Sequence, residues 1–449
     1  MVTIFTEKKS TRIDFIFNQL FKEILGCKFT ITDNEKKYLD SSYPAICYAK
    51  NYNGKGIHIV PHGLLFEEGV RHIEPEISYW EDLPVFFQTQ GKEIPFDIFS
   101  ASFYIISRYE EYLEKERDKH GRYPAEKSLA FRYGFLDQPI VDQWAMQLLK
   151  ILQNKFPELV FKAPHFRFIP TIDVDNVFAF RHKGPFINGY YLLKELLFGK
   201  FEKAKYRLAV ILRLREDPFF NLQKIASLHQ ACGTFPLFFF HCGCYGRRDK
   251  KTFLPSFKYM NAKKEISRDF IVGLHPSYHA TFSAMRLKIE HKIMEECTFD
   301  GTVFHSRFHY LRFHIPESFR MLLREKIYHD WSMGYSTHTG FRAGTSFPFN
   351  FYNLNKDKIY RLIIHPFAVM DKTLKIDMNL NEEEAKQYVL NLAQRVKAVN
   401  GVFVTIFHNE NLTDAFSWRG WRKMYYSLLK ELGVSEQKPN GNNASTPFR

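Results

Sequence analysis

A run of about eighteen apolar residues, the length that crosses a bilayer as a helix, occurs nowhere in this 449-residue chain, so no transmembrane segment is expected. The N-terminus also lacks the apolar core of a signal peptide, because Glu7, Lys8, Lys9, Arg12 and Asp14 interrupt it. These two absences predict a cytoplasmic protein, touching an anionic membrane at most peripherally. Cysteine is scarce: Cys27, Cys47, Cys232, Cys242, Cys244 and Cys297 fit reduced thiols better than a disulfide framework. Cys242 and Cys244 flank a glycine beside His241, but no second cysteine pair completes a four-ligand thiolate site. No block of five or six basic residues appears, although Lys plus Arg outnumber Asp plus Glu by 63 to 49. The resulting charge of +14 therefore favours anionic partners in general, with no specific nucleic acid among them. Aromatic residues are abundant, at 17% of the chain, and most must be core. Hydrophobic and charged shares of 45% and 25% are globular averages and exclude wholesale disorder or a fibrous repeat.

The pattern divides the chain into three parts. Residues 1–162 read as a smaller α+β unit of unknown role, with helical spacing over 13–25, 96–113 and 140–152 and short extended runs at 56–61 and 84–88. Residues 163–434 change character. Apolar, strand-like runs end at polar groups: 166–172 at Asp173 and Asp175, 235–240 at His241, 270–274 at His275, 302–304 at His305 and Arg307, and 402–407 at His408. Asn381 with Glu384 three residues on opens a helix that stops at Gly401, and a strand follows at once. Strand and helix in alternation, with functional groups at the carboxyl ends, predict an α/β fold, an irregular (β/α) barrel of about seven strands. Pro170 lies inside the first of these strands and is expected where that strand is unpaired on one side. Residues 435–449 are polar and rich in Asn, Gly and Pro, and are expected to be disordered.

Asp173 and Asp175 point to one face if their strand runs that far, although a D-x-D is equally at home in a turn or cap. Two like charges so close call for a cation or an arginine between them. His275 and His279 follow the next strand at a spacing of four. They chelate one ion if the segment turns helically, and a carboxylate from another strand end would complete a set of three ligands.

Thr171-Ile172-Asp173-Val174-Asp175, Gly273-Leu274-His275-Pro276-Ser277-Tyr278-His279, Arg307-Phe308-His309-Tyr310 and Ile406-Phe407-His408, in this order, resemble the polysaccharide deacetylases, carbohydrate esterase family 4, over about residues 165–430. Gly340 to Thr345 and Trp418-Arg419-Gly420-Trp421 further resemble a bacterial subgroup that carries an uncharacterised N-terminal domain. The resemblance implies Asp173 as catalytic base and Asp175, His275 and His279 as metal ligands. It implies Arg307 as the tether of the base, the Tyr310 N–H as an oxyanion donor, and His408 as general acid. His309 stands where the family has proline, Val174 separates aspartates that are usually adjacent, and His365 competes with His408; base and ligand could be exchanged.

The expected activity is metal-dependent removal of N-acetyl groups from an amino sugar. The divalent ion would be Zn2+, with Co2+, Ni2+ and Fe2+ as the other candidates. The expected substrate is an acetylated glycan or a nucleotide- or lipid-linked precursor, and Arg342, Asp330 and Trp418 are candidates to bind it. The rival readings are hydrolysis of another linear or cyclic amide on the same fold, and a sugar-binding module without turnover.

Overall fold

The computed structural model describes residues 1–162, 164–243, 246, 248–249 and 257–433. Cys244 and the expected disordered tail, residues 435–449, lie outside the described residues. No helix among them is long and apolar enough to cross a membrane.

The N-terminal part is built on four parallel strands, β1 (Val2–Thr6), β2 (Phe29–Thr32), β3 (Ala45–Tyr48) and β4 (Ile57–Ile59), in the order β2-β1-β3-β4. Ser10 caps the helix Thr11–Phe17, its side chain accepting from the Ile13 N–H, and the helix continues as a π-helix over Asn18–Ile24 before Gly26 turns left-handed at φ 61°. That helix buries Phe17 and Phe21 against Phe99, with ring centroids 4.5 and 6.1 Å apart. The helical run expected over 96–113 is two helices, Ile98–Ile106 and Tyr109–Leu113, broken where Arg108 takes φ 58°. A small antiparallel pair, β5 (Ser78–Trp80) and β6 (Leu83–Val85), completes this part.

The second sheet has nine strands: β7 (Arg167–Val174), β8 (Leu237–His241), β9 (Val272–His275), β10 (His305–Ser306), β11 (His329–Asp330), β12 (Phe349–Asn353), β13 (Lys358–Ile364), β14 (Val369–Met370) and β15 (Val402–His408). Their order is β12-β13-β11-β10-β9-β8-β7-β15-β14, parallel throughout except for the β12–β13 pair. The architecture is thus α/β with parallel strands, but the barrel expectation needs correction, because no closed barrel forms among the described residues. The sheet ends at one edge in the antiparallel β12–β13 hairpin and at the other in β14, which ladders with β15. Backbone bonds still cross the gap, from the Phe367 N–H to the Met333 carbonyl (3.1 Å) and from the Gly340 N–H to the Ala368 carbonyl (2.7 Å).

The sheet nevertheless curls. Alternate residues of β7, β8 and β15 (Ile169; Leu237 and Phe239; Val402, Val404 and Ile406) bury one another on the inner face with Trp331 and Phe367, while Phe168, Phe238, Phe240 and Phe403 face the outer core. Period-two alternation then sends Thr171, Asp173, His241, His275 and Arg307 inward at the carboxyl ends. Pro170 is paired with Thr405 on β15, and the β8 ladder begins only at Thr171. The unpaired side expected for this strand is thus limited to its first half.

One apolar core joins the two sheets, and the Gly340–Thr345 run is where they lock. Gly340, at φ 116°, leaves no room for a Cβ, which would sit 2.3 Å from the Leu136 carbonyl oxygen. Thr345 and Ser346 donate to the fully buried Asp142, Ser346 from both its N–H (2.8 Å) and its hydroxyl (2.7 Å). Arg342 is buried and grips Glu111 with two bonds of 2.7 and 2.8 Å. Burial would raise the Glu111 pKa, but Arg342 and then Arg108 bring it down to about 2. Glu111→Gln strands Arg342 without a carboxylate and should cost about 3–5 kcal/mol in denaturant unfolding at neutral pH. Because the folded pKa is depressed, the contribution is complete above the ordinary glutamate pKa of 4.5 and disappears as pH falls towards about 2. The gap between wild type and variant should therefore close across that window. A gap independent of pH there would contradict the pairing.

Candidate active site

Five strand ends of the second sheet, those of β7, β9, β10, β14 and β15, bring ionisable groups to one mouth, where a cavity of about 330 Å³ is lined by Asp173, Asp175, His275, His309, Tyr310 and His408 among others. Asp173 sits one residue before the end of β7, 3% exposed, and takes a 2.7 Å bond from Arg307 Nη1. Arg307 is itself fixed by Thr171 Oγ1 (2.7 Å) and the Trp331 carbonyl (2.9 Å), so the aspartate is held rigidly from behind. Its Oδ2 lies 4.0 Å from His275 Nε2.

Asp175, just past β7, meets two imidazoles. Its Oδ1 is 3.1 Å from His275 Nε2, and its Oδ2 is 3.3 Å from His309 Nε2. His275 Nδ1 faces the Arg307 carbonyl at 2.5 Å, and a carbonyl only accepts, so the ring proton belongs on Nδ1 and the Nε2 lone pair faces the carboxylate. His309 is oriented the same way by Asp249 Oδ1, 2.9 Å from its Nδ1. An imidazole fixed from behind by a carbonyl or carboxylate, with its free nitrogen inward, is the arrangement metal-binding histidines take. The three groups have ligand atoms within 4.8 Å of one another. Asp175 Oδ1 is buried and makes no hydrogen bond. Two ligands about 2.1 Å from a shared ion at the tetrahedral angle would be about 3.4 Å apart, close to the 3.1 and 3.3 Å that separate Asp175 from the two imidazoles.

Electrostatics agree with a cation site. Burial would lower the pKa of His309, yet Asp175 and then Asp249 raise it to about 9; burial would raise that of Asp175, yet His309 and then His275 hold it well below the carboxylate range. The carboxylates of Asp173, Asp175 and Asp249 all lie within 4.0 Å of an imidazole nitrogen of this cluster, and a cation there would be favoured by them. The residues are therefore compatible with a metal. A second trio, His241, Asp249 and His309, is equally close. Its Asp249 Oδ1, however, already receives His309 Nδ1, His241 Nε2 (3.1 Å) and the Tyr278 N–H (3.1 Å), which suits a group that orients ligands.

On the other wall stands His408, at the end of β15. Its Nε2 is 3.9 Å from Asp175 Oδ2, and its Nδ1 is 2.8 Å from Asp371, which also accepts from the His408 N–H. Burial would lower its pKa, but Asp371, then Asp175 and Asp173, raise it to about 10. Tyr310 and Leu311 turn through φ 61° and 52°, a strained pair costing about 1–3 kcal/mol each. The Tyr310 carbonyl is clamped by Arg122 from the N-terminal part (2.9 Å).

Of the residues expected at the site, Asp173, Asp175, His275, Arg307, Tyr310 and His408 come together, and Trp418 stands half-buried on the cavity wall against Trp421. Others lie elsewhere. His279 is exposed, because the chain after Pro276 makes a turn instead of a helix and leaves it outside. Arg342 is engaged by Glu111. Asp330 is fully buried, accepting from the Ser332 N–H and hydroxyl, with its pKa pushed by burial up to about 7. His365 stacks on Trp331 at 3.9 Å, within the inner core and not on the cavity wall. Cys242 is buried beside Lys263 Nζ (3.3 Å).

Three participants escaped sequence reasoning. His309 lies two residues after Arg307, so strand alternation could have placed both on one face. Asp371 ends a short apolar run, 367–370, as the other site residues end theirs. Asp249 follows no apolar run and gave no signal.

A family model described as a family of unknown function (DUF7033) matches residues 2–157. No curated protein matches the chain. Among solved structures, a "putative polysaccharide deacetylase" from Mycobacterium smegmatis is similar at 10% identity and TM-score 0.38, over 62% of this chain and 87% of that one. A 7,8-dihydropteroate synthase from Vibrio fischeri ES114 follows at 8% identity and TM-score 0.26, over 61% and 95%. Both similarities are too low to carry an argument about this chain.

Proposed function

We propose that the chain is a metal-dependent hydrolase of carboxamides that removes the N-acetyl group of an amino sugar in a glycan or glycan precursor. The observation that carries this reading is the tethered Asp173 beside the Asp175, His275 and His309 trio, with the Asp371-backed His408 across the same cavity. The ordered motifs from Asp173 to His408 support it from the sequence side.

Asp175, His275 and His309 would hold the ion. When bound there, a divalent ion, Zn2+ by the nitrogen and oxygen character of these ligands, would lower the pKa of water and polarise an acyl carbonyl. Asp173 accepts the proton of the attacking water, and Arg307 keeps its second oxygen turned towards the cavity. Tyr310 lines the cavity, and its backbone N–H would be the donor to the oxyanion that develops. His408 returns a proton to the departing amine; Asp371, bonded to its Nδ1, leaves Nε2 as the donating atom. Water supplies hydroxyl to the acyl carbon and a proton to nitrogen, giving acetate and a free amino sugar.

The test is acetate release from an N-acetylated chito-oligomer by zinc-loaded protein. Turnover that falls about 10²–10⁴-fold in His408→Gln is expected. Binding of the oligomer with no acetate released would point to a sugar-binding module, and release from simple linear or cyclic amides alone would point to another amidohydrolase.

A further inference from the structure

The segment between β7 and β8 contains a helical hairpin of inverted polarity. In the helix Pro185–Leu197 the buried residue is Glu195, and in Phe201–Ile211 the buried residues are Ala204, Arg207 and Val210. Glu195 and Arg207 close on each other through two bonds of 2.8 and 2.9 Å, and Arg207 also reaches Asn188 (2.9 Å). The charged pair is thus the inside of the hairpin. The outside is apolar: Phe186 is 92% exposed, Leu197 75%, Phe198 69% and Leu214 75%, with Tyr190, Leu193, Phe201 and Leu212 exposed beside them. A folded chain in water seldom presents so many large apolar side chains from one element.

The same segment is basic. Lys194, Lys200, Lys203, Lys205, Arg213 and Arg215 are exposed among these apolar groups, and Glu202 is the one exposed acid over 185–215. Exposed leucine and phenylalanine interleaved with lysine and arginine match a surface that is apolar beneath and anionic above. The hairpin is also firmly rooted. The Asp217 carboxylate accepts the N–H groups of Ala179, Phe180 and Arg181 at 2.7–3.0 Å, holding its two ends together. At its base a cavity of about 280 Å³ is lined by Ile187, Tyr191 and Lys203, and it shares Asn176 and Glu410 with the catalytic cavity.

We propose that this hairpin docks on the surface of an anionic phospholipid bilayer, its apolar side chains entering the headgroup boundary. The adjoining cavity then leads from the membrane to the catalytic mouth, so that the substrate class is a membrane-anchored amphiphile carrying its acylated amine in the headgroup. The second half rests on the hydrolase reading above; the docking itself does not.

The test is co-sedimentation of the full chain with vesicles of phosphatidylcholine alone and of phosphatidylcholine with phosphatidylglycerol. Retention is expected on the mixed vesicles. F186S/L193S/L197S/F198S should weaken it at least about tenfold with an unchanged circular dichroism spectrum, and K194E/K200E/K205E should remove the preference for phosphatidylglycerol. No retention on either vesicle overturns the proposal. So does a wild-type chain that ignores vesicles, is dimeric by light scattering and becomes monomeric in the serine variant, because the face would then belong to a second copy. Retention is read without turnover. Failed docking with intact acetate release from a soluble oligomer sinks this proposal alone, and intact docking without release sinks only the catalytic reading and the substrate class built on it.

Discussion

Replacing His309 with alanine is expected to abolish stable metal retention, and hydrolysis with it, whereas His279→Ala should change neither. His309 Nε2 is 3.3 Å from Asp175 and is backed by Asp249, while His279 is exposed on a turn. Loss of a supporting group behind a ligand typically costs 10–100-fold in metal affinity, so loss of a ligand itself should exceed ~100-fold, and Asp249→Asn should fall within the smaller range. Zinc content after dialysis against a weak chelator reads all three variants. A chain that loses zinc on His279→Ala and keeps it on His309→Ala would return the ligand role to the histidine four residues after His275.

The second large effect belongs to Asp173→Asn. The amide still accepts a bond from Arg307 but can no longer take a proton from water, so kcat should fall ~10²–10⁴-fold while zinc content stays at the wild-type level. The separation of the two effects is the diagnostic. If Asp173 and Asp175 have exchanged roles, Asp173→Asn loses zinc and Asp175→Asn keeps it. Arg307 is fully buried and loses its charged partner in this variant, so unfolding free energy should also drop, by about 3–5 kcal/mol. Rates are therefore to be compared at temperatures where both proteins are folded.

The positions of the strand ends were legible in the sequence because each apolar run stops at a charged or polar residue, and alternation within a strand then decides which side chains share a face. Asp173, His275 and His408 are placed by that logic, while their roles come from the resemblance; Arg307 is less well placed by it, because the expected strand over 302–304 does not form and the strand His305–Ser306 follows it instead. His279 is not placed by it, because a spacing of four predicts a shared face only on a helical turn, whereas the chain after Pro276 makes a turn that leaves the second imidazole in solvent. The third candidate ligand comes instead from the turn that follows a neighbouring strand, His309–Leu311 after β10, and only the pairing of β9 with β10 brings His275 and His309 together. Barrel closure was likewise beyond the sequence. The β12 segment 349–353 has strand composition, but nothing in it states that it will pair antiparallel with β13. Arg342 is buried against Glu111, 231 residues away, a pairing that no local pattern announces. The polarity of the 185–211 hairpin also needed coordinates, because its leucines follow a helical pattern that usually faces a core.

Anomalous diffraction at the zinc absorption edge, from crystals of the zinc-loaded protein, would locate the ion. One strong peak is expected within bonding distance of Asp175, His275 and His309, with Asp173 beside it and not bonded. A peak on His279, a peak between His241 and Asp249, or no peak in the cavity would contradict this ligand set.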